Sequence, residues 1–274
     1  MRIGGIKYVV SAVLVLALLA VSVGSVAASP ADNNGKGPPA LSKIVSVHYP
    51  KGMEAKGGGK GPPGDKGGKG DGGGKAWYKY GGVHWADSQI PVSYVVNLAG
   101  SGDNGLFLDG LKASFQAWED DAQSYIDFEY GGLFTGVPSS FIGAGSMNGS
   151  NEVGWTSLSS SFPGAIAVTA TWRYTDTGEI VEVDAAMSSD LPWSQAAIGS
   201  GDPNSSTGDP DAYDVQNIMT HEAGHWLLLG DLYTRKAGEQ TMYGYGSKGE
   251  LKKRSLESGD VAGIGQIYPG AVKP

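Results

Sequence analysis

The sequence predicts a mixed α/β domain with a mostly parallel sheet, and three observations within residues 91–130 carry that expectation. Residues 91–97, PVSYVVN, form a short run rich in β-branched side chains, as strands do. Residues 106–124 follow, with Leu108, Leu111, Phe115 and Trp118 spaced to share one helical face. Residues 125–130, YIDFEY, alternate at period two and read as a second strand. A strand, helix, strand order needs a crossover connection, and a crossover makes the two strands parallel.

Three further strand candidates lie at 151–156, 165–172 and 179–187, separated by turns rich in Ser, Gly and Asp. The stretch 199–214, GSGDPNSSTGDPDAYD, is an acidic, turn-forming loop. Asp214 ends it and is placed to cap a helix starting at Val215, because a short carboxylate can accept the unpaired N–H groups of the first turn. That helix reads VQNIMTHEAGHWLLL. Its apolar residues Val215, Ile218, Met219, Trp226 and Leu229 spread around several faces, so it is expected to be buried and central. Gly230 is expected to supply the change of direction after it. A last helix is read at 258–267, capped by Ser258, with Val261, Ile264 and Ile267 or Tyr268 toward the core.

Composition sets the limits of this domain. The 274-residue chain holds 45 glycines and no cysteine. Much of the glycine lies in 35–75, in runs such as GGGKGPPGDKGGKGDGGGK, which bury too little apolar surface to offset the entropy of ordering. The stretch 29–75 therefore reads as disordered linker or pro-region, and 76–274 as the compact domain. Between residues 35 and 75 eight lysines stand against three acids, whereas from 76 onward ten basic residues stand against twenty-four acidic ones. An acidic domain repels phosphate, so nucleic acid is not expected as a partner. Arg2 and Lys7 precede an apolar run at 8–26, and Val26, Ala27 and Ala28 offer small residues for cleavage before Ser29. Residues 1–28 are thus an export signal or, since the run is nineteen residues long, an uncleaved membrane anchor. Either way the domain is expected to be extracellular and monomeric, stabilised by packing and bound ions in place of disulfides.

The stretch 220–233, THEAGHWLLLGDLY, carries the chemistry. His221 and His225 are four residues apart, so on a helix both imidazoles project from one face. Two imidazoles so placed can hold one zinc ion, and Asp231 can complete a three-ligand set that leaves a fourth position open. Glu222, beside the first ligand, is the candidate general base. Other readings remain open on the residues alone. The histidines could be core residues, or Glu239 or Glu250 could be the third ligand, with Asp231 merely ending the helix. A carboxylate at a helix C-terminus faces the negative end of the helix dipole, which argues for a positive group beside it. Asp202, Asp209, Asp211 and Asp214 offer a candidate calcium position in the acidic loop.

HEAGHWLLLGD resembles the extended zinc signature of the metzincin metalloproteases, in which HExxH is followed by a glycine turn and a third His or Asp ligand. TMYGYG from Thr241 resembles the Met-turn of that clan, and LESGDVAGIGQIYPG from Leu256 resembles the closing helix of its matrixin branch. NEVGW, AIAVTATWRY and GEIVEVDAAM resemble the strands of the same branch, so the similarity covers roughly 85–268. The resemblance implies a twisted, mostly parallel five-stranded sheet over an active-site helix, with 166–171 as an antiparallel edge strand at the cleft rim. An unpaired edge binds an extended peptide by strand addition, so Ile166, Ala167 and Val168 are implied substrate contacts. Tyr243 and Tyr245 would wall a side-chain pocket beside the zinc, and Met242 would be a packing floor beneath it. The implied activity is that of a secreted zinc endopeptidase acting on protein or peptide substrates, with Glu222 taking a proton from the attacking water.

Two residues depart from the family pattern. Leu228 stands where the family usually has glycine, and the third ligand is Asp231 in place of the commoner histidine. His48 and His84 are the only other histidines, so the second, structural zinc of animal matrixins is not expected, and Asp184 is implied to be structural. If 29–75 is a pro-segment, Asp65 or Asp71 is the carboxylate that would block the zinc. The alternative from another class is a secreted zinc-containing binding module that kept the fold and lost turnover.

Overall fold

Short runs of β-branched and small apolar residues build one twisted sheet, and a fully buried helix crosses it to carry the site. The computed structural model describes residues 39–53, 77–103, 105–121, 123–196 and 208–270. They belong to one compact unit, Pro39–Pro274. The strands are β1 Leu41–Pro50, β2 Val92–Asn97, β3 Phe128–Leu133, β4 Glu152–Thr156, β5 Ala167–Tyr174, β6 Ile180–Ser188, β7 Trp193–Ser194, β8 Tyr213–Asp214 and β9 Tyr245–Gly246. The helices are α1 Phe107–Glu119, α2 Val215–Trp226 and α3 Ser258–Ile267.

The fold is mixed α/β, with a mostly parallel sheet in the order β3-β2-β4-β6-β5-β1-β9. β2, β3, β4 and β6 run parallel, and β5 is antiparallel to β6, with Ala167 opposite Met187. β7 and β8 pair separately, and β8 leads directly into α2. The helices α1 and α2 meet in an aromatic core, where Phe115 lies 5.0 Å from Trp226 and 4.1 Å from Tyr94 between ring centroids. Tilted aromatic pairs of this kind contribute about 1 kcal/mol each beyond their buried area. At the sheet's far side Glu152, Glu182 and Asp184 are buried, and Asp184 accepts the N–H groups of Ser140 (2.9 Å) and Glu152 (3.0 Å), tying the 139–148 loop to β6.

Three expectations need correction. The sheet has seven strands where five were expected, because part of the stretch read as linker is ordered: β1 pairs antiparallel with β5 from Leu41↔Tyr174 to His48↔Ala167. One face of β1 carries Ser42, Ile44, Ser46 and His48, and only Ile44 and His48 are buried, so the apolar alternation that marks a strand is weak. In consequence 166–171 is no edge; its outward hydrogen-bonding side is occupied by the chain itself. The second correction concerns 125–130. Tyr125 N–H bonds to Tyr268 O (3.1 Å), which ties that segment to the end of α3, and β3 starts only at Phe128. The third is the α3 cap, which is Glu257 and not Ser258; Asp260 reaches back to accept the Glu257 N–H at 3.0 Å. Within α3, Ile264 and Tyr268 at its cap are buried, while Val261 is half-exposed.

No helix among the described residues is long and apolar enough to cross a membrane. The export or anchor segment 1–28, the remainder of the glycine-rich stretch with Asp65 and Asp71, and the loop residue Asp202 lie outside the described residues.

Candidate metal centre

The site is built on α2, and both ends of that helix are fixed by side chains. At the N-terminus Asp214 accepts Asn217 N–H (2.9 Å), as its cap position predicts, and also binds Arg254 through Nε (2.8 Å) and Nη2 (2.6 Å). At the C-terminus the chain reverses in a Schellman arrangement. Leu229 N–H bonds Gly224 O (3.0 Å), Leu228 N–H bonds His225 O (3.0 Å), and Leu228 takes the left-handed conformation with φ 55°. Gly230 was expected to turn the chain; that task falls to Leu228 instead. Gly230 is needed for close approach, since its N–H bonds Lys79 O (2.9 Å) and a Cβ there would lie 3.3 Å from Lys79 Cβ.

The reversal brings Asp231 back over the helix. Asp231 Oδ1 lies 3.1 Å from His221 Nε2 and 3.5 Å from His225 Nε2. His221 Nδ1 is 2.7 Å from Thr241 O, and His225 Nδ1 is 2.8 Å from Leu229 O. A carbonyl can only accept, so each Nδ1 carries a proton, and each imidazole, when neutral, turns its Nε2 lone pair inward. His221 Nε2, His225 Nε2 and Asp231 Oδ1 are buried without a hydrogen-bond partner. Three converging acceptors with no donor among them fit a cation, and the N, N, O donor set suits a first-row divalent metal.

Charge in the site follows the same logic. Burial lowers His221 to about 4. Burial works against His225 as well, but the Asp231 carboxylate outweighs it and raises this imidazole to about 9. Burial likewise opposes the Asp231 charge, and His225 and His221 together hold its carboxyl well below the usual range. Without a cation, a proton on His225 supplies the missing positive charge; a metal ion would take its place.

Glu222 lies wholly buried beside this cluster, and burial raises its carboxyl to about 7. Thr169 Oγ1 donates to its Oε2 at 2.6 Å, and His48 Nδ1 lies 3.3 Å from its Oε1. Beneath α2, Met242 packs where a Cβ on Gly224 would meet its Sδ at 2.1 Å. Its turn is pinned by Asp260, which accepts the N–H groups of Thr241 (2.8 Å) and Met242 (3.1 Å). Tyr233 OH donates to Asp231 Oδ2 at 3.0 Å.

The structure brings His221, Glu222, His225, Asp231 and Met242 together as the sequence predicts. Glu239 and Glu250 stand elsewhere: Glu239 is exposed beside Lys252 (3.3 Å), and Glu250 lies 4.0 Å from Lys253 Nζ. The candidate calcium residues do not form a cluster among the described residues; Asp209 accepts Asp211 N–H within a local turn, and Asp214 is held by Arg254. Ile166, Ala167 and Val168 are engaged by β1, with Ile166 N–H on His48 O at 2.8 Å. Tyr243 and Tyr245 lie beside the site, and their carbonyls accept from Lys253 Nζ at 2.6 and 2.9 Å. Sequence reasoning missed His48, Thr169, Lys253 and Asp260. Of these only His48 left a signal, a histidine in a period-two stretch next to glycine-rich sequence.

No protein-family model matches the chain, and a search of curated proteins returns no match.

Proposed function

We propose that this chain is an exported zinc-dependent endopeptidase of the metzincin clan, matrixin branch. The observation that carries the reading is the set of three buried acceptors, His221 Nε2, His225 Nε2 and Asp231 Oδ1, converging without a donor next to a buried carboxylate. Also in its favour are the antiparallel β5 beside α2 and the methionine packed under Gly224. His221, His225 and Asp231 would hold a zinc ion, which when bound would supply Lewis acidity to a water and to a peptide carbonyl.

The chain's own residues do the rest. Glu222, poised near 7, can accept the water's proton at neutral pH and hand it to the departing amine. Thr169 orients that carboxylate through Oε2, and Oε1 faces the position that the His48 ring fills. The backbone of 166–168, which pairs with β1, would hold an extended substrate only in place of that strand, and Tyr233 steadies Asp231.

Metal analysis of the purified full chain, together with cleavage of casein and of a broad peptide library by wild type and Glu222→Ala, tests the reading. Stoichiometric zinc and cleavage abolished by Glu222→Ala are expected. A zinc-loaded wild type as inert as Glu222→Ala on every peptide would refute endopeptidase activity and leave a zinc-holding binding module.

A further inference from the structure

β1 lies across the centre as a bound peptide would. It is antiparallel to β5, with His48 opposite Ala167, and parallel to β9, with Tyr49 opposite Tyr245 and Pro50 opposite Gly246. Main-chain bonds hold it on both sides: Ile166 N–H to His48 O at 2.8 Å and Lys51 N–H to Gly246 O at 2.9 Å. The His48 side chain is wholly buried and stacks on His221 with ring centroids 3.9 Å apart. The wall beside it is narrow, since a Cβ on Gly246 would lie 3.2 Å from His48 Nε2.

The floor of this pocket is a cation. Lys253 is fully buried, and its Nζ donates to Tyr243 O (2.6 Å), Tyr245 O (2.9 Å) and His48 Nε2 (3.1 Å). An ammonium has three N–H groups and no lone pair, so His48 Nε2 is the acceptor and Nδ1 carries the proton that faces Glu222. Two of the Lys253 donors are committed to fixed backbone carbonyls. The third points to His48 Nε2, while the nearest carboxylate oxygen, Glu250 Oε1, stands at 4.0 Å, an ion-pair separation longer than a hydrogen bond. Burial lowers the Lys253 pKa to about 8, which leaves it largely charged at neutral pH.

We propose that β1 occupies the peptide cleft as an internal substrate mimic, and that Lys253 makes the pocket beside the metal cluster select peptide side chains bearing a hydrogen-bond acceptor, such as His, Gln or Glu, over aliphatic ones. The cleavage part of this inference rests on the endopeptidase reading; the pocket part does not. An aliphatic side chain in the pocket leaves the third N–H of a buried ammonium without a partner, whereas an acceptor satisfies it.

Two measurements on the full-length chain test this. Amide hydrogen exchange of β1 is compared among wild type, His48→Gln and His48→Leu, each with Lys253 intact and with Lys253→Met. With Lys253 present, His48→Gln is expected to keep the protection of β1 and His48→Leu to lower it tenfold or more; with Lys253→Met the leucine strand regains it. Equal or greater protection of the leucine strand over Lys253 overturns the proposal, and it does so whether or not the protein cleaves anything. The second measurement maps cut sites in a peptide library digested by the zinc-loaded protein. Enrichment of acceptor side chains next to the cut bond, shifted toward Leu and Met by Lys253→Met, supports the pocket assignment. Cleavage with an aliphatic preference that Lys253→Met leaves unchanged overturns it while the endopeptidase reading stands.

Discussion

Leu228 sits in a conformation that favours glycine, with φ 55°, yet its side chain is only 7 % exposed. Holding an L-residue there costs about 1–2 kcal/mol, while burying a leucine contributes about 2–3 kcal/mol, so burial wins and leucine is tolerated. Truncation separates the two effects. Leu228→Ala loses the burial and keeps the strain, and should be about 2–3 kcal/mol less stable than wild type. Leu228→Gly loses the same burial but relieves the strain; after the ~0.5–1 kcal/mol entropic penalty of glycine it should lie about 1 kcal/mol above the alanine variant. At ordinary positions the order is the reverse. The assay is urea and thermal unfolding of chelator-treated protein, which removes any contribution from metal binding. A difference of about 1 kcal/mol corresponds to roughly 2–4 °C in midpoint for a domain of this size. A glycine variant equal to or less stable than the alanine variant would refute the assignment of strain to Leu228.

Three further outcomes follow from the site. Gly224→Ala drives a methyl to 2.1 Å from Met242 Sδ and 2.8 Å from Trp118 Cζ2, so it should destabilise the fold by about 1–3 kcal/mol despite alanine's better helix propensity, read as a lower unfolding midpoint. Metal affinity should depend on pH through His225, because the metal-free imidazole titrates at about 9 and must lose its proton to bind. Competition titration against a chromophoric chelator should show affinity falling about tenfold per unit below that value. The metal-free fold has the opposite dependence: the raised His225 pKa adds stability below the ordinary imidazole value, and that stability is lost as pH rises through about 9. An affinity constant across that range would place the competing proton elsewhere.

The sequence made the middle of the molecule legible. β2, β4, α2 and the ligands on α2 follow from patterns local to each segment: β-branched runs, a four-residue histidine spacing, a carboxylate at the cap. What it hid depends on contacts far apart along the chain. Lys253 reads as one of three consecutive basic residues, yet Asn217 Oδ1 accepts its N–H (2.8 Å) and turns its side chain inward. β1 is polar on its inward face because that face meets a polar site, so hydrophobic alternation could not reveal it. Leu228 adopts the left-handed turn because its burial outweighs its strain, a balance that propensity alone reads in glycine's favour. Asp260 looks like an ordinary first-turn acid and becomes a support for Thr241 and Met242 only once α3 is docked.

Asp260 also bears on the order in which the molecule matures during synthesis. α2 carries His221 and His225 well before α3 leaves the ribosome, but Thr241, whose carbonyl faces His221, and Met242 gain their Asp260 anchor only when α3 is in place. By then β1, which precedes α2 in the chain, is already available to pair with β5. In chain order, the segment that steadies Thr241 and Met242 is therefore made after the strand that lies against the candidate metal cluster.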